Sequence, residues 1–143
     1  MNEQANIQLV KQAYELYGRR DMQSLLAMMT EDVDWNLPGP SEIPWAGRRK
    51  GRQGAEEFFR LLSAADELES FEPREFFASD EKVVVLGYYR GRARSTGKIV
   101  EDDWVQVFTV RSGKIAGFSE YYDTASVAAS YRRESAGGRE AFL

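Results

Sequence analysis

Apolar residues return every three or four positions across residues 6–17, where Ile7, Val10, Tyr14 and Tyr17 form one stripe and Ala13 and Leu16 widen it. That spacing predicts a helix, with Gly18 as its terminator. Asp21 is placed to cap a second, short helix carrying Leu25, Leu26, Met28 and Met29 before Thr30 breaks the pattern. Val33, Trp35 and Leu37 then alternate with Asp34 and Asn36, which predicts a short strand stopped by Pro38. Residues 38–44, with three prolines and a glycine, read as a loop. Helical spacing resumes over residues 52–65, where Ala55, Phe58, Phe59, Leu62 and Ala65 make a stripe that must face a sheet.

Residues 68–122 read as four long strands in an antiparallel meander, with turn signals at Ser79-Asp80, Ser95-Thr96-Gly97 and Ser112-Gly113. A last short helix is predicted over residues 125–131, and residues 134–143 read as a polar, flexible C-terminal tail. The expectation is therefore a single α+β domain over residues 1–133. Three N-terminal helices would pack on a curved, mostly antiparallel mixed sheet around an apolar pocket.

Composition narrows the chemistry. The 143 residues are 43% hydrophobic, enough for one real core. No window is long and apolar enough for a membrane span and no signal peptide is visible, so a soluble cytoplasmic protein is expected. Cysteine and histidine are both absent. Disulfides, thiolate nucleophiles, histidine bases and histidine or cysteine metal sites are excluded, and no cofactor or metal is expected. Proton transfer falls to carboxylates, Tyr, Lys or water. The net charge of −4 is spread along the chain and disfavours nucleic acid as a partner. Aromatic residues, 13% of the chain, suit a cavity with an apolar body and a few polar tips.

Several local phrases occur in a telling order: Trp45-Ala46-Gly47 before the helix at 55–59, then Gly87-Tyr88-Tyr89, Trp104-Val105-Gln106-Val107-Phe108-Thr109-Val110, Gly113-Lys114-Ile115 and Glu120-Tyr121-Tyr122-Asp123-Thr124-Ala125. With this element order the chain resembles the SnoaL-like branch of the NTF2-like (cystatin-like) superfamily, related to polyketide cyclases and ketosteroid isomerases. The resemblance implies a cone-shaped fold. It leaves the reaction open, since that fold hosts isomerases, cyclases, epoxide hydrolases, dehydratases and noncatalytic binding domains.

Asp123 shares a strand face with Ser119 and Tyr121. In the SnoaL-like cyclases an Asp at a similar late position is the acid/base, and the resemblance implies that role here; helix capping is the competing role. Asp34 lies near the region where ketosteroid isomerases hold their base, but aligning the following proline puts that base position on Leu37, and Asp34 equally suits a solvent-facing place. Tyr14 and Tyr17 are candidate oxyanion donors or core residues. Glu101, Asp102 and Asp103 open a long strand, so some of them face inward, with Glu101 taken as a candidate. No Arg stands two residues before Asp102 or Asp103, which departs from the epoxide hydrolase pattern. Trp35, Trp45, Tyr88, Trp104, Phe108, Phe118 and Tyr121 are candidate pocket walls, with Trp45 on a loop that could act as a lid. The basic run Arg48, Arg49, Lys50 and Arg52 reads as a solvated loop or as a steering patch for an anion.

Two functions follow as expectations. One is a cofactor-independent cyclase, isomerase or dehydratase acting on a small hydrophobic carbonyl compound through carboxylate and tyrosine chemistry. The other is a noncatalytic small-ligand-binding or assembly domain. A homodimer is expected, because an open sheet leaves an apolar outer face to cover.

Overall fold

The structure is a computed structural model and describes residues 2–133; the tail expected at 134–143 lies outside the described residues. Helix α1 (Glu3–Gly18) is capped by Asn2, whose side chain accepts from the Ala5 amide at 3.1 Å. Helix α2 (Met22–Ala27) is capped by Asp21 as anticipated. Strand β1 (Met29–Leu37) follows, then β2 (Gly47–Lys50), α3 (Gly51–Ala65), β3 (Asp66–Ser79), β4 (Lys82–Ala93), β5 (Ile99–Arg111), β6 (Lys114–Tyr121) and α4 (Thr124–Ser130).

The six strands form one sheet in the order β2-β1-β6-β5-β4-β3. Only β1 and β6 run parallel; the other neighbours are antiparallel. Three hairpin turns fall where Gly and polar residues accept a left-handed backbone, at Asp80, Gly97 and the Ser112-Gly113 pair.

Two differences from the sequence reading have physical causes. Met29 opens a strand instead of closing a helix, since its backbone pairs with Ile115 of β6 and its side chain is fully buried. The basic run 48–50 is also a strand, antiparallel to residues 34–36. Gly51, with φ +81°, then turns the chain into α3, a conformation that a residue with a Cβ rarely adopts. Arg49 and Arg52 are not a free patch. Arg49 donates to the Trp45 carbonyl at 2.8 Å, and Arg52 donates twice to the Met29 carbonyl.

Alternation divides the sheet into two faces. The outer face has an apolar strip, Phe77, Val84 and Val107 beside Leu86, Val105 and Tyr121 in register. It ends in ion pairs of Arg90 with Glu69 and Glu101. The inner face is covered by the helices. There β4 presents Gly87 and Gly91 on either side of Tyr89, and both glycines make room for rings. A Cβ on Gly87 would stand 2.2 Å from Trp104 Cζ2, and one on Gly91 would stand 2.3 Å from Tyr89 Oη. Trp104 lies flat in that space and stacks on Phe71 at 5.0 Å.

Replacing Gly87 by Ala should therefore push Trp104 off the sheet and cost about 1–3 kcal/mol, as overpacking does. Denaturant unfolding with near-UV circular dichroism checks this, and an Ala variant of unchanged stability and spectrum would contradict it.

Candidate functional site

Between the helices and the inner face lies a cavity of about 90 Å³. Its walls are aromatic: all three tryptophans, Trp35, Trp45 and Trp104, line it, along with Phe58, Phe71 and Phe108. Trp35 stacks on Phe118 with ring centres 4.1 Å apart, so part of this wall is a rigid ring pair. Strand β5 turns Asp102, Trp104, Gln106 and Phe108 inward, and β6 contributes Phe118 and Glu120, followed in the same phase by Tyr122.

Gln106 stands directly opposite Glu120 across the two strands. Its Nε2 donates to Glu120 Oε1 at 2.8 Å, and its Oε1 accepts from the Tyr14 hydroxyl at 2.6 Å. The amide thereby links a phenol on α1 to a carboxyl on β6. Burial pushes the Glu120 carboxyl up to about 8; the Gln106 bond opposes the shift and the nearby Asp102 charge adds to it. Asp102 rises to about 6, again chiefly through burial, although its Oδ2 accepts from the Asp123 amide at 3.1 Å. The Tyr14 hydroxyl is held well above its ordinary range by burial and by Glu120.

A second polar station sits where α3 meets β3. Asp66 is 6% exposed and accepts from Tyr89 at 2.6 Å and from Tyr131 at 2.5 Å. Tyr131 in turn accepts from Trp45 Nε1 at 2.8 Å, which ties the 38–46 loop to the end of α4. Trp45 is thus a fixed wall, 5% exposed, rather than a free lid. Burial raises the Asp66 carboxyl, and the two phenolic donors work against that shift. Three polar atoms on cavity-lining residues are buried without a partner among the described residues: Trp35 Nε1, Trp104 Nε1 and Tyr122 Oη.

Of the residues singled out from the sequence, Tyr14, Tyr17, Trp35, Trp45, Trp104, Phe108 and Phe118 line this cavity. The others stand outside it. Asp123 is exposed and caps α4, accepting from the Ser126 amide at 3.0 Å and the Ser126 hydroxyl at 2.8 Å, bonds that lower its pKa. Tyr121, 52% exposed, shares that outward phase. Glu101 faces outward, accepting from Tyr88 at 2.6 Å and Arg90 at 3.0 Å. Tyr88 itself lies under the Arg74 guanidinium, 4.8 Å away. Asp34 pairs with Arg48 across β1 and β2 at 3.5 Å. The alternation along β6 had been recognised, but its inward phase is Phe118-Glu120-Tyr122 and not Ser119-Tyr121-Asp123. Glu120, Gln106, Asp66, Tyr89 and Tyr122 went unmarked. A carboxylate between aromatic residues in Phe118-Ser119-Glu120-Tyr121-Tyr122 was the signal available for Glu120.

Residues 10–118 match the model of the SnoaL-like domain. The chain belongs to the SnoaL-like family. Its fold is shared closely by an NTF2-like protein from Burkholderia xenovorans LB400, 38% identical, with 92% of this SnoaL-like chain and 99% of that one superposed at a TM-score of 0.85. TerC, whose crystal structure was obtained with polyporic acid, is 26% identical over 89% of this chain and 98% of its own, with a TM-score of 0.76. An uncharacterised protein of Mycobacterium tuberculosis is 26% identical over 122 residues, 85% of this chain and 92% of its own. The cone fold inferred from the resemblance is thereby shown for this SnoaL-like chain.

The raised Glu120 carboxyl has a consequence for stability. Folded, it holds its proton up to about 8; unfolded, it lets go near 4.3. Its contribution is fully present below the unfolded value and is lost as pH rises through the folded one. Replacing Glu120 by Gln should reduce the loss of stability between about pH 5 and about pH 9 by a few kcal/mol. Chemical denaturation across that range measures it, and an identical loss in the variant would refute the assignment.

Proposed function

We propose that this SnoaL-like protein is a cofactor-independent acid–base enzyme that moves a proton on a carbon next to a carbonyl, in a cyclase, isomerase or dehydratase reaction on a small hydrophobic compound. The observation that carries the reading is Glu120 in the aromatic cavity, held by Gln106 and Tyr14. A carboxyl that titrates near 8 can take a proton and return it close to neutral pH, which is where a general acid–base group is most effective. The groups facing it are Gln106 and Asp102 from β5, Tyr14 and Tyr17 from α1 and Tyr122 after β6. The unpartnered Trp35, Trp104 and Tyr122 donors offer a carbonyl oxygen the hydrogen bonds that stabilise developing negative charge. The relative TerC, crystallised with polyporic acid, supports a small organic ligand for the shared cavity.

The test is deuterium uptake at the activated carbon of 2-tetralone in heavy water, followed by proton NMR. Uptake should exceed the buffer rate, rise as Glu120 ionises, and fall by about 100-fold in Glu120→Gln. Uptake that is undiminished in that variant would overturn the proposal.

A second copy of the chain is the proposed cover for the outer strip, on which Phe77 and Tyr121 are each more than half exposed. Sedimentation velocity should show a dimer in the parent protein and monomer in Leu86→Glu; a monomeric parent would end this part of the reading.

A further inference from the structure

Among the described residues no Lys or Arg lines the cavity, whereas three carboxylates do: Asp66, Asp102 and Glu120. Aromatic rings supply twelve of the lining residues. An aromatic box with acidic groups and no internal cation is the arrangement that recognises organic ammonium groups, through ring faces and charge together.

Asp66 is the most deeply buried of the three carboxylates by surface exposure, at 6%, and the nearby Arg94 charge acts on it only from a distance. It makes no ion pair among the described residues. Its neighbour Arg94 donates Nε instead to the Ser63 carbonyl. The donors it has are neutral phenols on Tyr89 and Tyr131, and Tyr131 is itself fixed by Trp45. A buried carboxylate with hydrogen bonds but no counter-ion is costly, and a ligand that brings a positive charge removes that cost. Both phenolic protons are committed to Asp66, so the remaining lone pairs on the carboxylate and on the Tyr89 oxygen point to a ligand that donates. A metal ion fits less well, because no three acidic residues among the described ones are grouped closely enough to hold one.

The site is also separate from the Glu120 station. Asp66 is in register with Ala93 on β4, and Glu120, through Gln106, with Val85, so the two rows are eight residues apart along that strand (93 − 85).

We propose that the cavity takes an organic cation, an amine whose ammonium group rests on the Asp66 carboxylate against the Tyr89 and Tyr17 rings. The inference rests on the cavity being the ligand site, as proposed above, and it narrows the ligand class to organic amines. It is independent of what Glu120 does chemically.

The experiment compares 2-phenylethylammonium with 2-phenylethanol, which share a skeleton and differ in charge, by calorimetry and by the fluorescence of the three cavity tryptophans in the full chain. The ammonium should bind at least about tenfold more tightly, a difference of about 1.4 kcal/mol. That preference should fall to near one in Asp66→Asn and persist in Glu120→Gln. Equal or tighter binding of the alcohol, a preference that survives in Asp66→Asn, or no binding of either probe would each overturn the proposal. Should Asp66→Asn lose its circular dichroism signature, nuclear Overhauser contacts in the parent protein decide: contacts between the ammonium-side methylene and the Tyr89 ring support the site, and contacts confined to other residues refute it. Loss of the deuterium uptake with the ammonium preference intact would sink the Glu120 chemistry alone, and the reverse pattern would sink the amine alone.

Discussion

One cross-strand pair sets the character of this molecule: Gln106 on β5 facing Glu120 on β6, inside the sheet's concave layer rather than on its wet side. A carboxyl placed there has two options, to find a cation or to keep its proton. Among the described residues the cavity offers no cation, so the proton is retained to about 8 and an amide serves as the partner. An amide can bond to either protonation state of the acid, donating to it when ionised and leaving its own oxygen to Tyr14. Glutamine thereby holds the acid in place without fixing its charge, which is the condition a reversible proton carrier needs.

The rest of the fold encloses that pair. Gly87 and Gly91 let Trp104 and Tyr89 lie against β4, and Phe71 and Phe118 stack on Trp104 and Trp35 in turn. The Asp66 station, the Trp45 loop and α4 are joined by one chain of hydrogen bonds through Tyr131. Loop 38–46 and the end of α4 are therefore held against the cavity by polar contacts, reinforced by the Arg132–Glu42 pair at the surface. Acid–base groups, rigid aromatic walls and a polar clasp are thus separate parts of one inner layer.

Much of the architecture was legible in the chain. Periodicity located the helices, Gly and polar pairs located the hairpin turns, and the ordered phrases from Trp45 to Ala125 carried the family. Boundaries failed where tertiary pairing outweighed local pattern: Met29 and residues 47–50 become strand because β1 and β6 recruit their backbones. The site was read less well, and for one reason. Alternation along β6 separates Glu120 from Asp123, but the side of the sheet that meets the helices is decided by the register of β6 against β5 and β1, which no single strand encodes. Trp and Phe turn inward by their own apolar surface, whereas Tyr88 and Tyr121 were read as walls and face outward, and a carboxylate in the sequence looks the same whether it caps a helix or faces a hollow.

The most direct measurement is a carbon-13 NMR titration of the Glu120 side-chain carboxyl, assigned by its disappearance in Glu120→Gln. The account predicts a midpoint close to 8. A midpoint in the ordinary carboxyl range, near 4.3, would mean that Glu120 is solvated and that the dry acid at the centre of this description does not exist.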